Sequence, residues 1–185
     1  MNKAVMALVL GIAVGLAVAQ VPELPSPDVR PRSVQHLMLT QIDPALNALR
    51  AAISTLSQPA EEPKSSARND AAWAGALRSA ATLVAAAEAL GTPGLPVIGP
   101  EDEVMAAQGN ATAGGDGPSD LALSQEIQKQ IDRRPASFAR HALRLKQTAQ
   151  AALAASERRD AAGLVAMGEA INHACEQCHR KYWYP

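Results

Sequence analysis

Large aromatic side chains are scarce in this chain, which has one Phe, two Tyr and two Trp among 185 residues. Alanine dominates instead, and a helical core of alanine packs closely but leaves little bulk to fill a cavity. A bound cofactor would supply that missing apolar volume. Cysteine is also scarce, with only two residues, so a zinc site made of cysteines alone is excluded. No stretch alternates polar and apolar residues as a half-buried strand would, and no repeat of solenoid length is present, which removes sheet folds and repeat arrays. A net charge of −1 without a clustered basic surface excludes an ordinary nucleic-acid binder.

Only one long apolar run is present. Residues Met1 to Ala19 carry Lys3, then an unbroken apolar stretch to Ala19 ending in Ala17-Val18-Ala19, the pattern of a secretory signal peptide (1–19) with an A-x-A cleavage site. The run falls short of the roughly 20 apolar residues of a spanning helix, so no stable membrane span is expected after cleavage. Residues 20–30 form a Pro-rich leader, read as an extended tether. Export bears on the two cysteines, because free thiols sent to an oxidising compartment become a disulfide unless something else captures them.

Both cysteines lie at the end of the chain, in Cys175-Glu176-Gln177-Cys178-His179. A C-x-x-C-H motif matches the geometry of covalent haem attachment, in which two thiols meet the two vinyl groups on one porphyrin edge while an adjacent imidazole meets the iron. On a helix, residues three and four apart share a face, so Cys175, Cys178 and His179 point the same way. Leu164, Gly168, Ile171, Cys175, Cys178 and Tyr182 continue that stripe. Three other chemistries compete. A zinc site would need His173 or His141 to complete its ligands. A thioredoxin-like dithiol would be expected near a strand-helix-strand pattern, which is not visible, and a plain disulfide leaves His179 unexplained.

Helical periodicity then divides residues 31–185, read as one domain. Helix A is expected from about Pro31 to Ser57 on Val34, Leu37, Met38, Ile42, Ala45, Leu49, Ile53 and Leu56, with a kink at Pro44 and a restart near Asp43. Helix B is expected from about Asn69 to Leu90, capped by Asn69 or Asp70 and closed by Gly91. A long connection follows at about 92–134, rich in Gly and Pro, with a short helix on Leu121, Leu123, Ile127 and Ile131. Helix C runs from about Pro135 to Arg158 and helix D from about Asp160 to Tyr182. Four helices with three connections predict an all-α, antiparallel up-down-up-down four-helix bundle with a covalently bound haem.

In such a bundle the C-terminal end of helix D lies level with the N-terminal ends of A and C. At 1.5 Å per residue, His179 is roughly 9 Å from the end of the chain and Met38 roughly 10 Å from the start of helix A. Met38 and His141 are therefore both candidates for the second face of a haem, and Phe138 is read as a pocket wall. Met167, about 18 Å down helix D from His179, cannot reach.

A C-x-x-C-H at the extreme C-terminus of a four-helix chain resembles the class II cytochromes c, the cytochrome c′ family. Asp43-Pro44-Ala45, Trp73 and the tail from Cys175 to Trp183 share the likeness, which covers the four helices but not the leader or the long connection. The resemblance implies one haem c per chain, thioethers to Cys175 and Cys178, His179 as proximal iron ligand and, from the Leu37-Met38 pair, Met38 as sixth ligand in the low-spin branch. It also implies a periplasmic electron-transfer protein working with redox partner proteins, and a homodimer through helices A and B. The alternative branch leaves the distal side exchangeable and binds nitric oxide or carbon monoxide. No hydrolytic triad, phosphate loop or acid-base pair can be placed, so enzymatic activity is not expected.

Overall fold

The computed structural model describes residues 33–58, 65–99 and 118–183, which belong to a compact unit spanning Pro31–Pro185. They form α1 (Val34–Leu37), a π-helical turn (Met38–Ile42), α2 (Asp43–Leu56), α3 (Ser65–Leu90), α4 (Pro118–Arg133), α5 (Pro135–Glu157) and α6 (Ala161–Tyr182). Among the described residues there is no strand. None of their helices is long and apolar enough to cross a membrane. The expected signal peptide and leader, and residues 100–117 of the long connection, lie outside the described residues.

Four of the helices close a ring of contacts: α2 packs on α3, α3 on α5, α5 on α6, and α6 back on α2. On α3 the buried residues Trp73, Ala76, Ala80, Leu83, Ala87 and Leu90 recur at three and four, so one stripe faces inward. The facing stripe of α5 is Phe138, Ala142, Leu145, Ala149 and Ala152. Small side chains on both stripes let the α3 and α5 backbones approach. Between α2 and α6 the Ile53 side chain packs against Gly168, where a Cβ would meet its Cδ1 at 2.7 Å.

The first helix departs from expectation in an instructive way. Its regular α geometry breaks between Met38 and Ile42, where the Asp43 amide reaches back five residues to the Met38 carbonyl. Pro44 supplies no amide hydrogen, and its ring crowds the carbonyl four residues back, that of Thr40. The chain answers with a widened turn upstream of the proline, and α2 resumes at Asp43. Helix A also starts at Val34 rather than Pro31. Ser33 Oγ accepts the His36 amide at 3.0 Å, while the Val34 and Gln35 amides donate to the carbonyls of Pro96 and Val97 at 2.8 and 2.9 Å.

Those carbonyls belong to the connection after α3, so part of the expected loop is a bracket. Val97 is buried, and its amide donates to Gln128 Oε1 of α4 at 2.7 Å. The short helix inside the 92–134 connection is present, with Ile127 and Ile131 buried, whereas Leu123 is exposed. At the other end of the molecule α3 begins at Ser65, one turn before the expected caps. Asn69 and Asp70 are helical residues, and the Asp70 carboxylate instead pairs with Arg159 at 2.7 Å.

The turn from α5 to α6 is made without glycine. The Asp160 amide donates to the Ala155 carbonyl and the Arg159 amide to the Ser156 carbonyl, the paired bonds of a Schellman motif. Arg159 takes the left-handed position with φ 53°, which costs a non-glycine residue about 1–2 kcal/mol. Arg159→Gly relieves this but loses an exposed ion pair and adds chain entropy. Urea titrations should therefore find Arg159→Gly neutral to about 1 kcal/mol more stable, and Arg159→Val, β-branched, about 1–2 kcal/mol less stable. The reverse order would contradict the strain argument.

Candidate functional site

The C-terminal stripe of α6 borders a cleft of about 610 Å³, within the range of small-molecule and cofactor sites. Its α6 wall carries Cys175, Cys178 and His179, and the facing elements contribute Met38 from the π-helical turn, Ile42 and Leu46 beyond it, Leu90 at the end of α3, and His141 and Leu145 from α5. Five of the side chains singled out by sequence thus line one cavity: Met38, His141, Cys175, Cys178 and His179. Phe138 is not among its lining residues. It is buried against Tyr182, with ring centroids 5.4 Å apart and planes at 83°.

Met38 owes its place to the bracket described above. The carbonyls of Pro96 and Val97 anchor the first turn of α1, and the widened turn that follows begins at Met38 itself. The Thr40 hydroxyl donates to the His36 carbonyl at 2.7 Å and gives that carbonyl a partner. π-turns of this kind recur at functional sites. Met38 is half-buried, whereas its neighbour Leu37 is fully buried in the core.

Cys175 and Cys178 are free thiols, so the disulfide reading does not describe this structure. Burial pushes the Cys178 thiol up to about 12, reinforced by the neighbouring Cys175 and opposed by Lys181. Burial likewise raises Cys175, with Asp43 adding to the shift and Arg50 opposing it. At pH 8 the Cys178 thiolate is therefore about a thousandfold scarcer than that of an ordinary cysteine, while its greater nucleophilicity restores a factor of roughly 20. In the haem-free chain, iodoacetamide should label Cys178 on the order of 50-fold more slowly in the native state than in urea, as followed by mass spectrometry. Equal rates would contradict the burial.

His141 is held below the usual histidine value, first by burial and then by the positive charges of Lys181, Arg144 and Arg140. Its imidazole is neutral at pH 7 and keeps one ring nitrogen free as an acceptor or ligand. The His141 ring stands edge-on to Tyr182 at 5.9 Å. His179 is more exposed, with its ring 6.2 Å from Trp183. At the rim Arg50 donates to Asn172 Oδ1 at 2.7 Å and Arg180 pairs with Glu176 at 3.4 Å.

Sequence reasoning missed Leu46, Arg50 and Leu145 as lining. The signal was available, since Ile42, Leu46 and Arg50 follow at intervals of four, and Leu145 is four residues past His141.

The donor set fits a covalently attached haem. Two unpaired thiols three residues apart and the next imidazole border one cleft, a thioether and a second imidazole border it from other elements, and apolar Ile42, Leu46, Leu90 and Leu145 complete it. The Tyr182 hydroxyl is buried without a hydrogen-bond partner among the described residues, which costs about 1–3 kcal/mol, but Tyr182 is not among the residues that line the cleft. Among the described residues no group of three or more His, Cys, Asp and Glu side chains is placed to hold a metal ion by itself.

Comparisons with protein-family models, curated proteins and solved structures find no match for the chain.

Proposed function

We propose that the chain is a c-type cytochrome of the cytochrome c′ kind, an antiparallel up-down-up-down four-helix bundle carrying one haem c and passing single electrons between partner proteins in the periplasm. The observation that carries this reading is the shared cleft, in which both thiols and the imidazole of a C-x-x-C-H motif face Met38 and His141. Cys175 and Cys178 hold the group by thioether bonds. His179 ligates the iron from α6, and Met38 from the π-helical turn.

Bound there, haem supplies an iron that cycles between ferric and ferrous states. The residues set the terms. The Met38 thioether, as an iron ligand, would favour the reduced metal and keep exogenous ligands out. Ile42, Leu46, Leu90 and Leu145 exclude water from the cleft and lower its local polarity. No acid-base pair is assigned, and the role is electron transfer rather than catalysis of a substrate reaction.

The test is the visible spectrum of the chain matured in a periplasm with haem-attachment machinery, recorded oxidised, reduced, and reduced under carbon monoxide. A low-spin spectrum insensitive to carbon monoxide is the expected result. A high-spin spectrum that shifts with carbon monoxide would replace electron transfer with gas binding, and no haem at all would sink the cytochrome reading.

A further inference from the structure

Beside the cleft, on the outer side of His141, two adjoining depressions run between α5 and α6. Their volumes are about 340 and 360 Å³, and they share Arg144 and Gln147. His141 lines both the cleft and the first depression, so one side chain separates the interior site from this face. The first depression holds Arg140, Arg144 and Lys181, and neither depression has an Asp or Glu in its lining.

Among the described residues Arg140, Arg144 and Lys181 pair with no carboxylate; Arg144 donates to the Gln177 amide oxygen at 3.4 Å and Lys181 to Ser137 Oγ at 2.7 Å. In a chain of net charge −1 this is a local reversal of sign. Leu143 stands among the cations and is 51% exposed. An apolar residue ringed by unpaired charges is the composition of a docking patch, with an anchor at the centre and polar groups at the rim.

Length decides between a small anion and a macromolecule. The two depressions extend along α5 from Ser137 to Ala151, about 21 Å of helix, enough for about six residues of extended chain. A single oxyanion would engage one end and leave the rest uncovered.

The geometry points to the α5–α6 groove as the docking face for an acidic protein partner, whose carboxylates meet Arg140, Arg144 and Lys181 while an apolar residue covers Leu143. Only its purpose, delivery of electrons to the adjacent cleft, rests on the cytochrome reading.

The test uses the full chain, labelled with nitrogen-15, and a synthetic peptide of Glu and Leu as probe. The peptide is expected to shift the amides of Arg140, Leu143, Arg144 and Lys181 at low salt, and to lose affinity as the Debye length shrinks. Arg140→Glu with Arg144→Glu should weaken binding at least about tenfold, and Leu143→Ser severalfold. All three positions are exposed, and circular dichroism checks that the variants fold. Shifts elsewhere on the surface, or binding indifferent to the charge reversal, overturn the proposal. It also falls if inorganic phosphate shifts the same amides saturably while Leu143→Ser leaves peptide binding unchanged, since the face would then be a small-anion site. Because this binding is read without the haem spectrum, a chain that lacks haem yet binds the peptide sinks the cytochrome reading alone.

Discussion

Replacing Cys175 and Cys178 together by Ala is expected to reduce covalently bound haem to background, read as haem absorbance that survives denaturing electrophoresis. Both thiols border the same cleft of about 610 Å³, and no other cysteine exists in the chain. Each single variant should retain attachment through the other thiol, at lower yield. The doubly substituted chain should also be less stable than the haem-loaded one. A ligand that binds only the folded state and is held a thousandfold above its dissociation constant contributes about 4 kcal/mol, and a covalent tether keeps the effective concentration high. The loss should therefore be at least that size in urea titrations. Tyr182→Phe in the same haem-free background removes a buried hydroxyl without a partner among the described residues and should itself raise stability by about 1–3 kcal/mol. If the double cysteine variant keeps its covalent haem, the attachment assignment is wrong.

The thiol chemistry adds a pH signature to the haem-free chain. A Cys178 thiol raised to about 12 in the folded state binds its proton more tightly there than in the unfolded chain, where it titrates near 9.0. Between those values the unfolded state holds fewer protons, so stability falls as pH rises from about 9 toward 12. Below pH 9 both states are protonated and the contribution is fully present. The haem-loaded chain, with its thiols consumed, should lack this slope.

What could be read from the residues alone follows periodicity. The α6 stripe, the α3 and α5 stripes and the ends of the last two helices were legible because apolar side chains recur at three and four, and because Gly91 and Asp160 mark their boundaries. Tertiary effects were not legible. The start of helix A at Val34 depends on carbonyls of Pro96 and Val97, some sixty residues away in sequence. The π-helical turn was announced only by Pro44, and the position of a proline says that a helical bond is missing without saying where the backbone absorbs the loss. Axial-rise arithmetic from Pro31 therefore misjudged the height of Met38 within its helix, although Met38 still borders the expected cavity. Phe138 shows a different limit. Spacing puts it on the inward face of α5, but whether a ring reaches the cleft or packs on Tyr182 depends on what α6 presents at that level, and α6 presents Tyr182.

Met38→Ala is the variant that separates electron transfer from ligand binding. On the proposed ligation, removing the thioether would leave the iron without its sixth ligand, so the spectrum of the haem-loaded chain should change from low-spin to high-spin, carbon monoxide should bind the reduced protein, and the reduction potential should fall by on the order of 100 mV, the scale on which axial ligands tune haem. His141 complicates the single substitution, because it lines the same cleft and is neutral at pH 7. If His141 moves in, the Met38→Ala protein stays low-spin with a potential below that of the parent, and only Met38→Ala with His141→Phe becomes high-spin. The cost to the fold should be small compared with a core truncation. Met38 is half-buried and sits on a widened turn rather than in the closely packed α3–α5 interface, so the destabilisation belongs at the low end of the roughly 2–5 kcal/mol seen for Met→Ala in cores. A spectrum and potential unchanged by Met38→Ala, with His141 intact or replaced, would remove Met38 from the iron and leave the π-helical turn without the role assigned to it.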